Sequence, residues 1–193
     1  MKSKKKKVVP DKKIKLSLSL EELQRLVNAC DTLEDKALIE LAVTTGIRRE
    51  DIVNIDKMNV DLDAKIIRFW EKKKGRFWSV VLEPTVIQTL RLYMKDIPSN
   101  KRFLFNFSGR TAYNKLQKLM EKAGIKKHLE FHGLRRTFIR LSKKLGREVR
   151  YVMEQTGDTA RVIIDEYEGY TIDEMIEITE SNTILKSFDI NKK

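Results

Sequence analysis

Four separated stretches of this chain carry residues suited to work on a phosphodiester: Thr45-Gly46-Ile47-Arg48, Lys72-Lys73-Lys74-Gly75-Arg76, His132-Gly133-Leu134-Arg135, and Tyr167. Breaking such a bond without a metal takes a nucleophile, cations to neutralise the pentacoordinate phosphorane, and a proton for the departing 5′-oxygen. These residue types supply all three. His132 and Arg135 are three apart, so they share one helix face and can address one phosphate. Arg48 stands where one helical pattern ends and another begins; read locally, it also fits a surface residue covering a helix C-terminus. The lysine-rich stretch has an ordinary reading as a solvated turn. Metal-dependent cleavage has less support, because the two histidines, His128 and His132, have no acidic group at a recognisable ligand spacing.

The surrounding pattern is mainly helical. Ser19 and Glu22 form a capping box for a helix with Leu20, Leu23, Leu26 and Val27 on one face. A second helix follows, with Asp31 and Glu34 as its caps, Leu38, Leu41 and Ala42 as its stripe and Gly46 at its end. After a short helical piece over 49–55, β-type runs at 66–70 and 77–82 flank the Lys/Gly turn and predict a hairpin. Two strands alone are marginal, so the hairpin is expected to pack on a helix or pair with a short third strand. Pro84 suits a helix start. Further helices are predicted over 111–123, 132–145, 148–155 and 172–180. The fold class is therefore α with a small β-hairpin or sheet.

Charge narrows the partners. The chain of 193 residues has a formal net charge of +12 and 41% apolar residues, which suits one globular domain that meets a polyanion. Residues 2–15 hold eight lysines and one aspartate without helical periodicity, and read as a disordered basic arm that tracks phosphates. No apolar run approaches the roughly 18 to 20 residues of a membrane span, and no secretory pattern follows the basic start. An intracellular protein that does not enter membranes is expected. The single cysteine, Cys30, rules out an internal disulfide and reads as a small buried hydrophobe.

Taken together, the four stretches resemble the catalytic domain of the tyrosine recombinases, the phage integrase family. Thr45-Gly46-Ile47-Arg48, with Asp51 three residues on, is similar to the family's first-arginine context. Lys72 lies 24 residues after Arg48, in a hairpin turn such as the one that carries the family's catalytic lysine. Lys73 and Lys74 remain alternatives, because the glycine here follows the lysines. His132-Gly133-Leu134-Arg135-Arg136-Thr137-Phe138 resembles the family's H-x-L-R-[H/R]-[T/S]-F box and is the most specific match. Thr156-Gly157-Asp158 stands where the family has Leu-Gly-His, nine residues before Tyr167. An ionised aspartate cannot donate a hydrogen bond to a phosphate, so Asp158 departs from the pattern and must either orient Arg135 or lower activity.

The resemblance implies a fold and a site. It covers roughly 17–180, with 1–16 as the basic arm and 181–193 as a tail, and implies the tyrosine recombinase catalytic-domain fold. Tyr167 is the implied nucleophile, with Tyr170 as the alternative. Arg48 and Arg135 would clamp the phosphate, His132 would act as base or phosphate donor, and Lys72 would protonate the leaving oxygen. Lys73, Lys74, Arg76, Arg136, Arg140, Lys143 and Lys144 would contact DNA backbone. Implied partners are double-stranded DNA and further copies of the chain, assembled as a tetrameric synapse through the acidic C-terminal segment; no cofactor or metal is implied. The family usually has an N-terminal DNA-clamp domain as well, which nothing before Ser17 can supply. The rival readings are a type IB topoisomerase, and a non-catalytic DNA-binding protein on a recombinase scaffold.

Overall fold

Helix α1 (Leu20–Asn28) begins at the expected capping box: Ser19 Oγ accepts from the Glu22 amide at 3.2 Å, and Glu22 Oε2 accepts from the Ser19 amide at 2.7 Å. The structure, a computed structural model, describes residues 16–166. Helix α2 (Leu33–Thr45) is capped by Thr32, whose hydroxyl accepts from the Asp35 amide at 3.0 Å. The expected cap, Asp31, is one residue too early and instead pairs with Lys122. Ala37, Leu38, Ile39, Leu41, Ala42 and Val43 are all buried, so α2 is apolar around most of its circumference and forms the central rod of the domain. Gly46 ends it in the left-handed region at φ 67°.

Arg48 is then the extended N-cap residue of the short helix α3 (Arg49–Val53). The hairpin follows with the expected third strand: β1 (Val60–Asp61), β2 (Ile66–Glu71) and β3 (Arg76–Val81) form an antiparallel sheet in that order. The register sets Trp70 opposite Phe77 and Glu71 opposite Arg76. Period-two alternation puts Ile67, Phe69 and Glu71 inside and leaves Trp70 exposed. The run read as 66–70 thus extends by one residue, and that residue is a buried glutamate.

Helices α4 (Pro84–Lys95), α5 (Gly109–Lys122) and α6 (Phe131–Lys144) complete the main core. Its fully buried members include Leu26, Leu38, Ile52, Ile67, Leu90 and Leu116. Each such side chain contributes about 2 kcal/mol through apolar burial. Helix α7 (Val149–Thr156) lies against β3, and the short α8 (Ala160–Glu166), not expected from the sequence, returns to α6 and α7. A second cluster of Phe138, Ile139, Val152 and Ile163 fastens these two helices to α6. At the free edge of β3, the Gln155 side-chain amide accepts from the Val81 amide at 2.8 Å and donates to the Val81 carbonyl at 2.9 Å.

The helix expected over 172–180 lies outside the described residues. No helix among the described residues is long and apolar enough to cross a membrane.

Candidate active site

A cleft of about 480 Å³ opens between the start of α3, the β2–β3 turn and the start of α6, lined in part by Arg48, Lys72, Lys73, His132 and Arg135. Each residue arrives by a different local device. The left-handed Gly46 ends α2, and Arg48 leaves the chain as α3 begins. The tight turn after β2 is closed by the Glu71 carbonyl, which accepts from the Lys74 and Gly75 amides at 3.1 and 2.9 Å. Asp51 Oδ1 accepts from the Lys72 amide at 3.1 Å and holds the turn to α3. His132 and Arg135 lie on the first turns of α6, the histidine exposed and the arginine 2% exposed.

Arg135 is tied by most of its donors. Its Nε donates to Asp158 Oδ2 at 3.0 Å, Nη2 donates to the Thr156 carbonyl at 2.7 Å and lies 2.6 Å from Asp158 Oδ2 in an ion pair, and Nη1 donates to the Gly46 carbonyl. Burial pushes the pKa of this guanidinium down and the Asp158 charge opposes the shift. An arginine remains cationic under such a shift. Arg48 donates through Nη2 to Asp158 Oδ1 at 2.8 Å and through Nη1 to Glu71. Two guanidinium groups therefore share one carboxylate, Asp158, at the corner between α7 and α8. Asp158, expected to orient Arg135 or the helix or else to lower activity, is paired with Arg135 and with Arg48.

Glu71 is the residue that motif reasoning missed. It is 1% exposed and accepts from Arg48 at Oε1 and from Arg76 Nε at Oε2, 3.0 Å, with Lys74 Nζ 3.8 Å away. Burial disfavours its charge, but the hydrogen bonds from Arg76 and Arg48 outweigh burial and hold the carboxyl below its ordinary range. Continuing the strand alternation one residue past Trp70 would have marked it as a charge facing inward. For Asp51 the balance is opposite: burial raises its pKa, against the Lys72 amide and the Arg48 charge.

The remaining candidates divide by place. Lys74 turns away from the cleft and donates to the Gly157 carbonyl, so the hairpin turn grips the α7–α8 corner. Arg76 lies 3.8 Å over the Trp78 ring while it holds Glu71. Arg136, Arg140, Lys143 and Lys144 continue along α6, where Arg140 Nη1 donates to Ser17 Oγ at 2.9 Å. Tyr167 and Tyr170 lie outside the described residues. Cys30 is half-buried and donates to the Leu26 carbonyl at 3.5 Å, and burial pushes its thiol up to about 11. Among the described residues, no group of three or more His, Cys, Asp or Glu could hold a metal ion.

Known proteins share sequence and fold with this chain. Tyrosine recombinase XerA of Saccharolobus solfataricus is 34% identical over 125 residues, which are 65% of this chain and 42% of that protein. The crystal structure of a XerA recombinase superposes with a TM-score of 0.76 at 23% identity, covering 86% of this chain and 64% of that one. A lambda integrase dimer bound to a COC′ core site gives a TM-score of 0.65 at 18% identity, with 81% and 50% covered. At these identities the two structures show a shared fold. This chain spans about two fifths of the Saccharolobus protein's length and under two thirds of the XerA structure's. The family model for the phage integrase family matches residues 17–167, a span that contains the cleft and its two arginines, and the chain belongs to that family.

Proposed function

We propose that this chain is the catalytic domain of a site-specific DNA recombinase, with residues 17–180 as the domain, 1–16 as a basic arm and 181–193 as a tail. The observation that carries this reading is the shared cleft of Arg48, Lys72, His132 and Arg135, drawn from three distant parts of the sequence. Such convergence of cations suits a phosphate whose negative charge grows in the transition state.

In the proposed reaction, Tyr167 Oη attacks the scissile phosphorus and its proton passes to His132. The bond from phosphorus to the 5′-oxygen breaks, Lys72 protonates that oxygen, and a 3′-phosphotyrosyl link remains. The energy of the phosphodiester is kept in the new bond. A 5′-hydroxyl of a partner duplex then attacks the phosphotyrosine and returns the tyrosine, which completes the exchange. Arg48 and Arg135 hold the non-bridging oxygens throughout. In sequence, Tyr167 lies nine residues after Asp158, the carboxylate that Arg48 and Arg135 share.

The DNA partner is supported by the net charge of +12 and by the lambda integrase relative, which is bound to its core site. Lys73, Lys74, Arg76 and the basic side chains of α6 would follow backbone phosphates. Assembly into a tetramer through the acidic segment 165–180 completes the proposal; that segment holds seven carboxylates and no Lys or Arg, which suits a protein partner better than DNA.

The test is incubation with a nicked suicide duplex from the native attachment region, with EDTA present, followed by SDS electrophoresis and mass spectrometry. An adduct on Tyr167 that is lost in Tyr167→Phe is the expected result. An adduct on Tyr170 would move the nucleophile by three residues. DNA binding with no adduct, even with an N-terminal clamp domain supplied in trans, would overturn the catalytic reading.

A further inference from the structure

Glu71 sits at a junction that none of the recognised motifs contains. Its carboxylate holds Arg48 on one oxygen and Arg76 on the other, and its own carbonyl closes the turn that presents Lys72. The same residue thus touches the phosphate clamp with its side chain and the lysine turn with its main chain. A carboxylate 1% exposed is expensive to bury without partners, and here both oxygens are paired with guanidinium groups.

The two carboxylates on Arg48 differ in what they do. Asp158 lies on the α7–α8 corner, 12% exposed, on the other guanidinium nitrogen. Glu71 closes β2 in register with Arg76 of β3, and its second oxygen and its main-chain carbonyl are already engaged by Arg76 and by the turn amides, so its carboxylate has little freedom to follow Arg48. A guanidinium held by one rigid carboxylate keeps its plane when the other partner is replaced by phosphate.

We propose that Glu71 is a positioning residue for the strand-cleavage step: it sets the plane of the Arg48 guanidinium and keeps the Lys72 turn in register with it. This rests on the recombinase reading given above. Glu71 touches no reacting atom, and it acts through Arg48. The simpler possibility is that Glu71 only neutralises charge and supports folding.

Three measurements separate these. In single-turnover adduct formation on the suicide duplex, Glu71→Gln is expected to slow cleavage by about 100-fold, the effect of a small displacement of a catalytic group. Its DNA Kd should stay within about threefold, because one uniform contact is not what is lost. In a double-mutant cycle the loss should disappear when Arg48 is already Ala. A wild-type rate in Glu71→Gln, or losses that multiply in the Glu71→Gln, Arg48→Ala protein, would overturn the proposal. Should Glu71→Gln fail to fold, Glu71→Asp keeps the buried charge but withdraws it by one methylene, and carries the same expected and opposing results.

A fourth readout does not need activity. In DNA-free protein labelled with 15N-arginine, the Arg48 Nη signals, identified by their loss in Arg48→Lys, should be separate in wild type and averaged by rotation in the Glu71 variant. Unchanged Arg48 signals would overturn the positioning role. If wild type forms no adduct at all, the recombinase reading fails at that control, and the Arg48 signals alone decide whether Glu71 fixes the guanidinium.

Discussion

Asp158 and Arg135 meet at one oxygen, Oδ2, which accepts from Nε at 3.0 Å and lies 2.6 Å from Nη2 in an ion pair, while Oδ1 accepts from Arg48 Nη2 at 2.8 Å. The residue that departs from the family pattern is therefore the one that bridges Arg48 and Arg135. Asp158→Ala leaves the buried Arg135 without its charge partner and is expected to destabilise the fold by about 3 kcal/mol. Asp158→Asn, which keeps one acceptor, should lose less. Urea unfolding at neutral pH gives both values, and equal stability of Asp158→Ala and wild type would show the ion pair to be energetically idle.

Arg135→Lys should behave as a severe change. An ammonium has no planar fork, and cannot reach Asp158, the Thr156 carbonyl and the Gly46 carbonyl together. Adduct formation on the suicide duplex should fall by about 100-fold or more, the scale of losing one preorganised donor at a developing charge. Retention of half the wild-type rate would remove Arg135 from the clamp.

Two glycines with nearly equal φ give a paired test of packing against conformation. At Gly46, φ 67°, a Cβ would lie 2.9 Å from Phe138 Cδ1 and 3.1 Å from Thr156 Cγ2, whereas at Gly75, φ 61°, nothing lies within 4 Å. Gly75→Ala should lose only the conformational part, about 1 kcal/mol. Gly46→Ala should lose about 3 kcal/mol, because overpacking adds to it. Thermal melts of the two variants compare them directly, and equal losses would mean that Phe138 yields without strain.

The pH dependence follows from Glu71. Its folded pKa lies below the ordinary 4.5, so between the two values the unfolded chain binds the extra proton and stability rises with pH. The stability is fully present above 4.5 and is lost as pH falls through the lower folded value. Glu71→Gln removes this contribution, so the gap in unfolding free energy between wild type and variant should be widest near neutral pH and narrow progressively as pH falls through the lowered folded value. A gap independent of pH would show that the carboxylate's charge does not matter.

The basic arm makes a prediction that depends on salt. Each lysine that leaves a DNA phosphate removes about 0.9 from the slope of log K against log salt. Deleting residues 1–15, with eight lysines, should therefore flatten the slope by several units and weaken binding most at low salt. An unchanged slope would assign the grip to the folded domain alone.

Much of the site was legible because its residues sit at places that local rules mark. Arg48 follows a glycine C-cap, Lys72 sits in a hairpin turn, and His132 and Arg135 are a helical i, i+3 pair; the fold brings all four to one cleft. Glu71 was hidden because the apolar run stops at Trp70, and only the alternation carried one residue further turns a charged side chain inward. Asp158 was noticed as an exception, but its bonds to two arginines 110 and 23 residues away are tertiary facts that no local pattern encodes. The Thr32 cap was missed in favour of Asp31 because both are good capping residues, and the one-residue choice is settled by the extended backbone at Thr32. Helix α8 is fastened by Ile163 in the second cluster, a tertiary contact that its local sequence does not announce.

Gln155 gives the sheet a border. By accepting from and donating to the main chain of Val81, its amide imitates a single residue of a fourth strand and then stops, since it belongs to α7. An incoming extended peptide would have to displace this decoy before it could zip along β3. A Gln155→Ala protein would leave both main-chain groups of Val81 open at this edge, and it is expected to precipitate more readily on storage than wild type.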